Sequence, residues 1–189
     1  MEEENLLESK KINIRGTSNR YQIKKVTDKS YDKECKKRVE TEKWTFSEEK
    51  YKYENQFKMI QDILNNNFNH VDEVSKIAIQ QINRKLYSYK QQDTIKKLLS
   101  EKDFLTFESV INKMIECELK CRYCKKEMNV LYDISREMTQ WSVDRIDNDL
   151  GHNINNYHLA CLDCNLKRRR RTDEKFLFTK QLNIIKQNN

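Results

Sequence analysis

Apolar residues recur at helical spacing through the middle of the chain, and they predict two consecutive amphipathic helices. The first stripe advances in steps of four, three and four residues and comprises Tyr53, Phe57, Ile60 and Leu64. The second advances in steps of three and four residues and comprises Val71, Val74, Ala78, Ile82, Leu86 and Tyr89. Asparagine tolerates the conformations that end helices, so residues 65–67 are the predicted connection and Asn69 is the predicted cap of the second helix.

Two shorter stripes predict further helices nearer the C-terminus. One follows Thr106 and comprises Phe107, Val110, Ile111 and Met114. The other follows Thr172 and comprises Phe178, Leu182 and Ile185. We expect both helices to pack against the segment that begins at Cys121, the first as a brace and the second by docking back on it.

Between these helices the pattern changes to alternation, which is typical of strands. Residues 140–146 and 157–162 are the predicted strands, and the connection at 147–156 is rich in Asn, Asp and Gly, as functional loops often are. After Cys164 the sequence predicts the start of a helix. The local order is therefore strand, loop, strand, helix, and the chain as a whole is predicted to be of the α+β class.

The first 50 residues carry many charges and no sustained apolar period. Ile12 and Ile14 alternate before a turn at 15–19, and Tyr21 and Ile23 alternate after it, which is a weak hairpin signal. We interpret this region as a mobile basic arm, because charge runs are usually solvated. A DNA-contacting arm that orders on binding is the alternative.

A similar choice arises at residues 86–99, where tyrosines are interleaved with lysine and glutamine. Rings on a basic surface can stack on bases, and glutamine can reach base edges, so a DNA-contacting surface is one interpretation. A helix with tyrosine packed inward and lysine outward explains the same pattern, and it is the interpretation we favour.

Composition narrows the class of protein. Charged residues make up 35% of the 189 residues, and the mean hydropathy is -1.00, so we expect a highly solvated helical protein with small cores. The net charge of +7 favours a polyanionic partner. The sequence contains no apolar run of about 18 residues and begins acidic, so we predict a soluble intracellular protein, neither secreted nor membrane-bound.

Four of the six cysteines fall into two C-x2-C pairs, Cys121 with Cys124 and Cys161 with Cys164. Each pair can present two thiolates to one ion, and four thiolates form a tetrahedral structural zinc site. A closed site of this kind stabilises a fold and has no open position for chemistry. The remaining two cysteines are predicted to be free thiols: Cys35 and Cys117.

Residues 121–171 resemble the HNH, or ββα-metal, family of nucleases, in the subgroup stapled by two C-x2-C pairs. The segments KFLFTKQL at 175–182 and YKQQD at 89–93 are similar to HNH-type proteins of large DNA viruses. For a viral protein the implied location is the cytoplasm or nucleus of a host cell.

The resemblance implies an α+β fold with a small ββα-metal module held by a four-cysteine zinc site. A mainly helical extension precedes the module and a C-terminal helix packs on it. In chain order the predicted parts are the basic arm at 1–50, the helical extension at 51–116, the module at 117–172 and the C-terminal helix at 173–189.

The resemblance also assigns roles inside the module. In this family an acidic residue at the end of the first strand binds a catalytic Mg2+ or Mn2+ ion, which implies that role for Asp144. The family's middle asparagine, which anchors the long loop, matches Asn156, and its last metal ligand matches Asn165 on the helix. The family's water-activating histidine falls on Arg145, where this chain departs from the pattern.

Arg145 changes the expected chemistry. Arginine stays protonated near neutral pH and cannot take a proton from water, although it can clamp a phosphate oxygen and stabilise transition-state charge. A substitute base is needed, and His152 in the loop is the first candidate, because histidine titrates at about pH 6.5. His158 and Asp147 are the other candidates. If none of them serves, the module holds DNA without cutting it.

Five consecutive cations follow the second cysteine pair: Lys167, Arg168, Arg169, Arg170 and Arg171. The predicted helix begins just before them, and the helix macrodipole disfavours positive charge at a helix start. Phosphate contacts would offset this cost, so these residues are the predicted nucleic-acid-binding surface. DNA is the expected partner, and RNA stays open.

These observations support three hypotheses. The leading one is a metal-dependent HNH-type endonuclease that hydrolyses DNA phosphodiester bonds, with structural Zn2+ and catalytic Mg2+ or Mn2+. The alternative is a catalytically inactive HNH-like zinc module that binds nucleic acid. The third is a zinc domain with only a structural or protein-binding role.

Overall fold

Five α-helices and one two-stranded antiparallel sheet form the regular structure of residues 36–65 and 72–182, the part of the chain that the computed structural model describes. Two short 3-10 helices, Val39–Lys43 and Glu48–Tyr51, come first. In chain order the other elements are α1 (Tyr53–Asn65), α2 (Glu73–Lys96), α3 (Phe107–Glu116), β1 (Trp141–Arg145), β2 (Tyr157–Cys161), α4 (Leu162–Arg168) and α5 (Asp173–Gln181). The protein is therefore of mixed helix and sheet composition, with the predicted order of strand, loop, strand and helix.

Some predictions fall outside the described residues. These are the hairpin signal around 15–19, the free thiol at Cys35, the cap at Asn69, the apolar position at Val71 and the apolar position at Ile185.

The buried face of α1 is rotated about the helix axis by about one residue from the predicted stripe. Gln56, Met59, Ile60 and Ile63 are its buried residues, and of these only Ile60 belonged to that stripe. Gln56 is fully buried because its Oε1 accepts hydrogen bonds from the backbone nitrogens of Val130 and Leu131, at 2.8 and 2.7 Å. Leucine at this position would leave two buried N–H groups unpaired, at about 1–3 kcal/mol each. A polar side chain thus anchors α1 to the segment before β1.

Helix α2 agrees with the predicted stripe. Its cap is Asp72 and not the predicted Asn69, since the Asp72 side chain accepts a hydrogen bond from the backbone nitrogen of Ser75 at 2.8 Å. Ala78, Ile82 and Leu86 are buried along one face. At 24 residues α2 is the longest of the described helices, yet none of them combines the length and apolar character needed to cross a membrane.

Helix α3 packs against α1 and α2. Thr106 and Ser109 form a reciprocal capping box, in which each backbone nitrogen donates to the other residue's hydroxyl at 3.1 Å. Val110, Ile111 and Met114 are completely buried, as predicted. Burial of each such side chain contributes about 1.5–3 kcal/mol.

The two strands pair with Trp141 opposite Cys161 and Asp144 opposite His158. Alternate side chains of β1 point to opposite faces. Ser142 and Asp144 contact α4, whereas the Trp141 ring lies against the ammonium group of Lys85 on α2, 4.7 Å from its centroid. The sheet therefore joins α2 to α4 and exposes little of its own surface.

The free edge of β1 is satisfied by side chains. Lys85 donates to the carbonyl of Trp141, and Arg168 donates to the carbonyl of Arg145. At Val143 the Tyr89 hydroxyl accepts from the backbone nitrogen at 3.1 Å, while Asn165 donates to the carbonyl oxygen at 3.0 Å. Unpaired backbone groups at a buried edge are costly, so these four side chains stabilise a sheet of only two strands.

The basic run lies at the opposite end of its helix from the one predicted. Helix α4 begins at Leu162 with Cys161 as its N-cap, and it ends at Arg168. Lys167 and Arg168 therefore occupy the last turn, where the macrodipole favours positive charge. The predicted electrostatic cost does not arise, and the argument that it requires phosphate at these residues is wrong.

The buried face of α5 also differs from the prediction. Phe176 is buried, whereas Phe178 is 64% and Leu182 is 47% exposed. Phe176 packs edge to face on Tyr123, with ring centroids 4.8 Å apart. The predicted face is wrong because the turn at residues 169–172 sets which side of α5 faces Tyr123. The spacing of apolar residues does not reveal that turn.

Candidate functional site

Four thiols converge beside the sheet. Cys121 and Cys124 lie in a turn, Cys161 ends β2, and Cys164 lies in the first turn of α4. Their sulfur atoms all lie within 4.8 Å of one another, and those of Cys124 and Cys161 are 3.8 Å apart. Four sulfurs bound at about 2.3 Å to a tetrahedral ion lie about 3.8 Å from each other. The cluster can therefore hold a metal ion such as zinc.

Backbone hydrogen bonds shape the turn that carries the first pair. The nitrogen of Cys121 donates to the carbonyl of Lys126 at 2.8 Å, and the nitrogen of Lys125 donates to the carbonyl of Cys121 at 3.1 Å. Lys125 has a φ of 60°, which closes the turn. The nitrogen of Arg122 donates to the carbonyl of Leu159 on β2 at 3.0 Å, so the turn is fixed to the strand that carries the second pair.

The four thiols already interact with one another. A hydrogen bond from Cys161 lowers the pKa of the Cys121 thiol to about 4, while burial raises the pKa of the Cys164 thiol to about 12. Cys117 lies outside the cluster, and its sulfur contacts the carbonyl of Met114 at 3.6 Å. Within the described residues Cys117 is thus the one cysteine left out of the group.

A second polar cluster surrounds Asp144, whose side chain is only 5% exposed. Its Oδ2 accepts hydrogen bonds from Arg168 Nε at 2.7 Å and from the Tyr123 hydroxyl. Burial raises the pKa of Asp144, and the bonds from Tyr123 and Arg168 oppose that shift. Both bonds reach Oδ2, so they fix the orientation of the carboxylate and leave Oδ1 outside the pairing.

Arg168 is buried at the centre of this cluster. Its relative exposure is 0%, and besides Asp144 it donates to the carbonyls of Arg145, Ile146 and Arg171. The prediction that Arg168 contacts nucleic acid is therefore wrong, since its guanidinium is fully engaged within the fold. The other four cations of the run are exposed.

Asn165 lies half-buried on α4 beside β1. Its Nδ2 donates to the carbonyl of Val143 at 3.0 Å and to the Ser142 hydroxyl at 3.1 Å. These two bonds use the nitrogen and leave Oδ1 as an available oxygen donor. Asn165 is thereby attached to the residue directly before Asp144.

His158 is the histidine that the sheet brings next to Asp144. The two residues are direct partners across the strands, where opposite Cβ atoms lie about 4.5–5.5 Å apart. His158 Nε2 lies 3.3 Å from Asp173 Oδ2 at the start of α5, and the two side chains are 21% and 15% exposed. Burial and the charge of Arg122 lower the pKa of His158, while Asp173 opposes the shift.

His152 lies against α2. It is 4% exposed, its Nδ1 is 2.8 Å from Asp93 Oδ1, and its backbone nitrogen donates to Asp93 Oδ2 at 2.6 Å. The Tyr89 ring stacks on it at 4.6 Å between centroids. Burial lowers the pKa of His152, and Asp93 opposes the shift. These contacts attach the loop to α2 and give His152 a structural role.

Sequence reasoning missed Asp93, which is completely buried. A signal for it exists, because Leu86, Tyr89 and Asp93 continue the apolar stripe in steps of three and four residues. An acidic residue at the inward position of a helix indicates a polar partner. Here that partner is the loop at His152.

The loop at 147–156 is held from inside by Asn156. Its Oδ1 accepts from the backbone nitrogen of Asp147 at 2.9 Å, and its Nδ2 donates to the carbonyls of Asp147 and Gly151 at 2.9 and 3.0 Å. Gly151 lies so close to the segment just after α2 that a Cβ would be 2.4 Å from the carbonyl oxygen of Leu98. The loop conformation therefore depends on both residues.

Arg145 also serves this loop. Its Nη1 donates to the carbonyls of Asn148 and Leu150 at 3.1 and 2.8 Å. Arg145, where the resemblance led us to expect a histidine, is thus engaged with backbone oxygens, and its guanidinium stabilises the loop conformation.

Comparison of the chain with protein-family models, curated proteins and solved structures finds no match. The two clusters offer different donors. The cysteines offer soft sulfur ligands suited to zinc, whereas Asp144 and Asn165 offer hard oxygen ligands suited to Mg2+ or Mn2+.

Proposed function

We propose that the protein is a zinc-stabilised endonuclease of HNH type that hydrolyses DNA phosphodiester bonds with the help of Mg2+ or Mn2+. The observation that carries this proposal is the attachment of Asn165 to the backbone of Val143, one residue before Asp144. The Asn165 amide thereby lies beside the strand residues that precede Asp144, and Asp144 is the cross-strand partner of His158 on β2. Zinc at the four cysteines would stabilise the fold around them.

The donors at Asp144 and Asn165 fit a hard divalent ion. Each residue has one polar atom fixed by neighbours and one oxygen outside those bonds. Metal-binding carboxylates are commonly oriented by such hydrogen bonds. A divalent ion held there would neutralise charge on the scissile phosphate and on the leaving oxygen. Tyr123 and Arg168 orient the carboxylate.

His158 is the residue we assign as general base. Its pKa is lowered by burial, so the ring is neutral near pH 7 and can accept a proton. Asp173 contacts Nε2, which leaves Nδ1 for the water. His158 takes precedence over His152, which is enclosed by Asp93 and Tyr89 on the α2 side.

A second candidate function is nucleic-acid binding without cleavage. The observation that favours it is the ion pair between Asp144 and Arg168, which balances the charge of a carboxylate that is only 5% exposed. A dication placed beside that guanidinium experiences repulsion. The module would then use its cations to hold nucleic acid and perform no chemistry.

A plasmid assay decides between the two. Zinc-loaded protein is incubated with supercoiled plasmid and Mg2+ or Mn2+, beside Asp144→Ala and Asn165→Ala variants. We expect nicked or linear DNA with the wild type and none with either variant. Zinc content should stay unchanged, and Asp144→Ala should lower the urea midpoint about as much as Arg168→Gln does, because it breaks the same buried pair. Retention of intact plasmid by a wild type that still shifts it on a gel would reject the nuclease and leave the binding module.

A further inference from the structure

A groove of about 760 Å³ lies between α4 and α5. Its volume is within the range of about 300–1,000 Å³ that small-molecule sites have. Cations and apolar side chains line it together. The cations are Lys167, Arg169, Arg171 and Lys180, and the apolar side chains include Met138 and Leu166. We call this the α4–α5 groove.

The charge of the groove is strongly positive. Its one carboxylate, Asp163, is paired with Lys167 at 2.7 Å. Within the described residues no carboxylate forms an ion pair with Arg169, Arg171 or Lys180. Three cations around one concavity favour a ligand with phosphate groups.

The groove also offers flat and apolar surface. Leu166 and Met138 are 46% and 43% exposed, although both are large apolar residues. The guanidinium of Arg171 lies 4.8 Å from the centre of the Phe176 ring, so its outer face is presented as a plane. Nucleobases stack on such planes and apolar side chains once they are unpaired.

Arg169 lies in the turn between α4 and α5. Its φ of 55° and ψ of -122° belong to the first central position of a type II′ turn, a position that favours glycine. The turn is closed by a hydrogen bond from the nitrogen of Arg171 to the carbonyl of Arg168 at 3.2 Å. Glycine would relieve this turn, and the Arg169 side chain is exposed and lines the groove.

We propose that the α4–α5 groove binds a single-stranded segment of nucleic acid. One unpaired base lies against Leu166 and Met138, and the adjoining phosphates contact Arg169, Arg171 and Lys180. A duplex offers its phosphates to such cations but keeps its bases stacked inside, so it leaves the apolar surface unused. This proposal rests on the proposed action on nucleic acid, but it does not require cleavage.

The test compares the binding of one fluorescently labelled oligonucleotide as a single strand and as a duplex. Full-length, zinc-loaded protein is used without added Mg2+, and binding is followed by anisotropy at several salt concentrations. We expect the single strand to bind at least fivefold more tightly, the factor that corresponds to about 1 kcal/mol of base stacking. Equal affinities for the two forms would overturn the proposal.

Variants locate the site. Arg169→Gly and Lys180→Ala should each reduce the slope of log affinity against log salt by about 0.7. Leu166→Ser should weaken binding of the single strand and leave duplex binding unchanged. The matched control is Lys175→Ala, which removes an exposed cation of α5 outside the groove. Groove variants that behave like the control would overturn the proposal.

Arg169→Gly separates binding from folding. Because glycine relieves the turn, its thermal midpoint should equal or exceed that of the wild type while its affinity falls. A competition experiment compares polyglutamate with unlabelled single strand as displacers of the labelled oligonucleotide. Equal displacement would show that the groove binds acidic polymers in general, and it would overturn the proposal. If the wild-type protein binds the single strand but does not cleave plasmid, the nuclease proposal is rejected and the groove proposal stands.

Discussion

The four-cysteine cluster and the Asp144 cluster lie at the same junction of β1, β2 and α4, but they are assembled differently. The cysteines come as two local pairs, and their sulfurs face one another. Asp144 instead collects partners from distant segments, namely Tyr123, His158, Arg168 and, through His158, Asp173. The first cluster contains sulfur alone, whereas the second already balances a buried anion with a buried cation.

The two clusters contribute to the stability of the fold in different ways. Four thiolates this close together would need a cation to balance their charge, so a metal ion bound there would stabilise the fold around them. The Asp144 cluster is satisfied by protein groups, so it contributes to the fold whether or not it also takes part in catalysis. Disrupting each cluster should therefore have separable consequences.

The largest effect is expected from Cys161→Ser. It removes one of four ligands, and structural zinc contributes about 10–16 kcal/mol to folding in small zinc modules. We expect loss of stoichiometric zinc and loss of the folded state around β2 and α4, measured by metal analysis and circular dichroism. Cys117→Ser is the matched control and should keep both. A folded, zinc-free Cys161→Ser protein would contradict a stabilising role for metal at the four cysteines.

Arg168→Gln should have the next largest effect. It leaves the buried carboxylate of Asp144 without its cation, and breaking a buried pair in this way costs about 3–5 kcal/mol. Arg170→Gln is the control, because its partner Asp149 and Arg170 itself are exposed, and the loss of such a pair costs at most about 1 kcal/mol. Urea unfolding of the zinc-loaded proteins measures both. Equal stability of the two variants would contradict the stabilising role of Arg168 in the fold.

His158→Gln sharpens the assignment of the base. Glutamine can keep a hydrogen bond to Asp173 but cannot accept the proton, so plasmid cleavage should fall about a hundredfold or more. DNA binding and the urea midpoint should change little. If cleavage persists in His158→Gln and disappears in a folded His152→Gln protein, the base lies in the loop and the assignment to His158 is wrong.

The smallest effect is expected in the pH profile. A general base at His158, as we propose, would act only when neutral. Because burial lowers the pKa of His158, the cleavage rate should be level above about pH 6.5 and fall as pH drops through the lowered pKa. Asp173 raises that pKa, so Asp173→Asn should move the acid limb to still lower pH. Rates are measured at constant ionic strength with zinc retention checked at each pH. A limb that moves upward, or stays in place, would contradict contact between the two residues.

Local patterns predicted the elements that depend on neighbours in sequence. The α2 stripe, the helix that follows Thr106 and the apolar face of that helix follow from helical spacing, and the two cysteine pairs follow from spacing of three residues. The strands were found from alternation with errors of one residue at their ends. The error at α4 arose because strand and helix meet at Cys161, where no Gly or Pro marks the boundary.

Composition and residue spacing were enough to predict the mixed helix and sheet character, the four cysteines that can hold a metal ion and the excess of positive charge. Which polar residues are buried, and with which partners, depends on how distant segments pack. The tertiary structure buries Arg168 against Asp144 while its neighbours stay exposed, commits His152 to Asp93, and sets His158 beside Asp144. The physical reason is that a charge is buried only where a partner from another segment meets it, and that meeting depends on the fold as a whole.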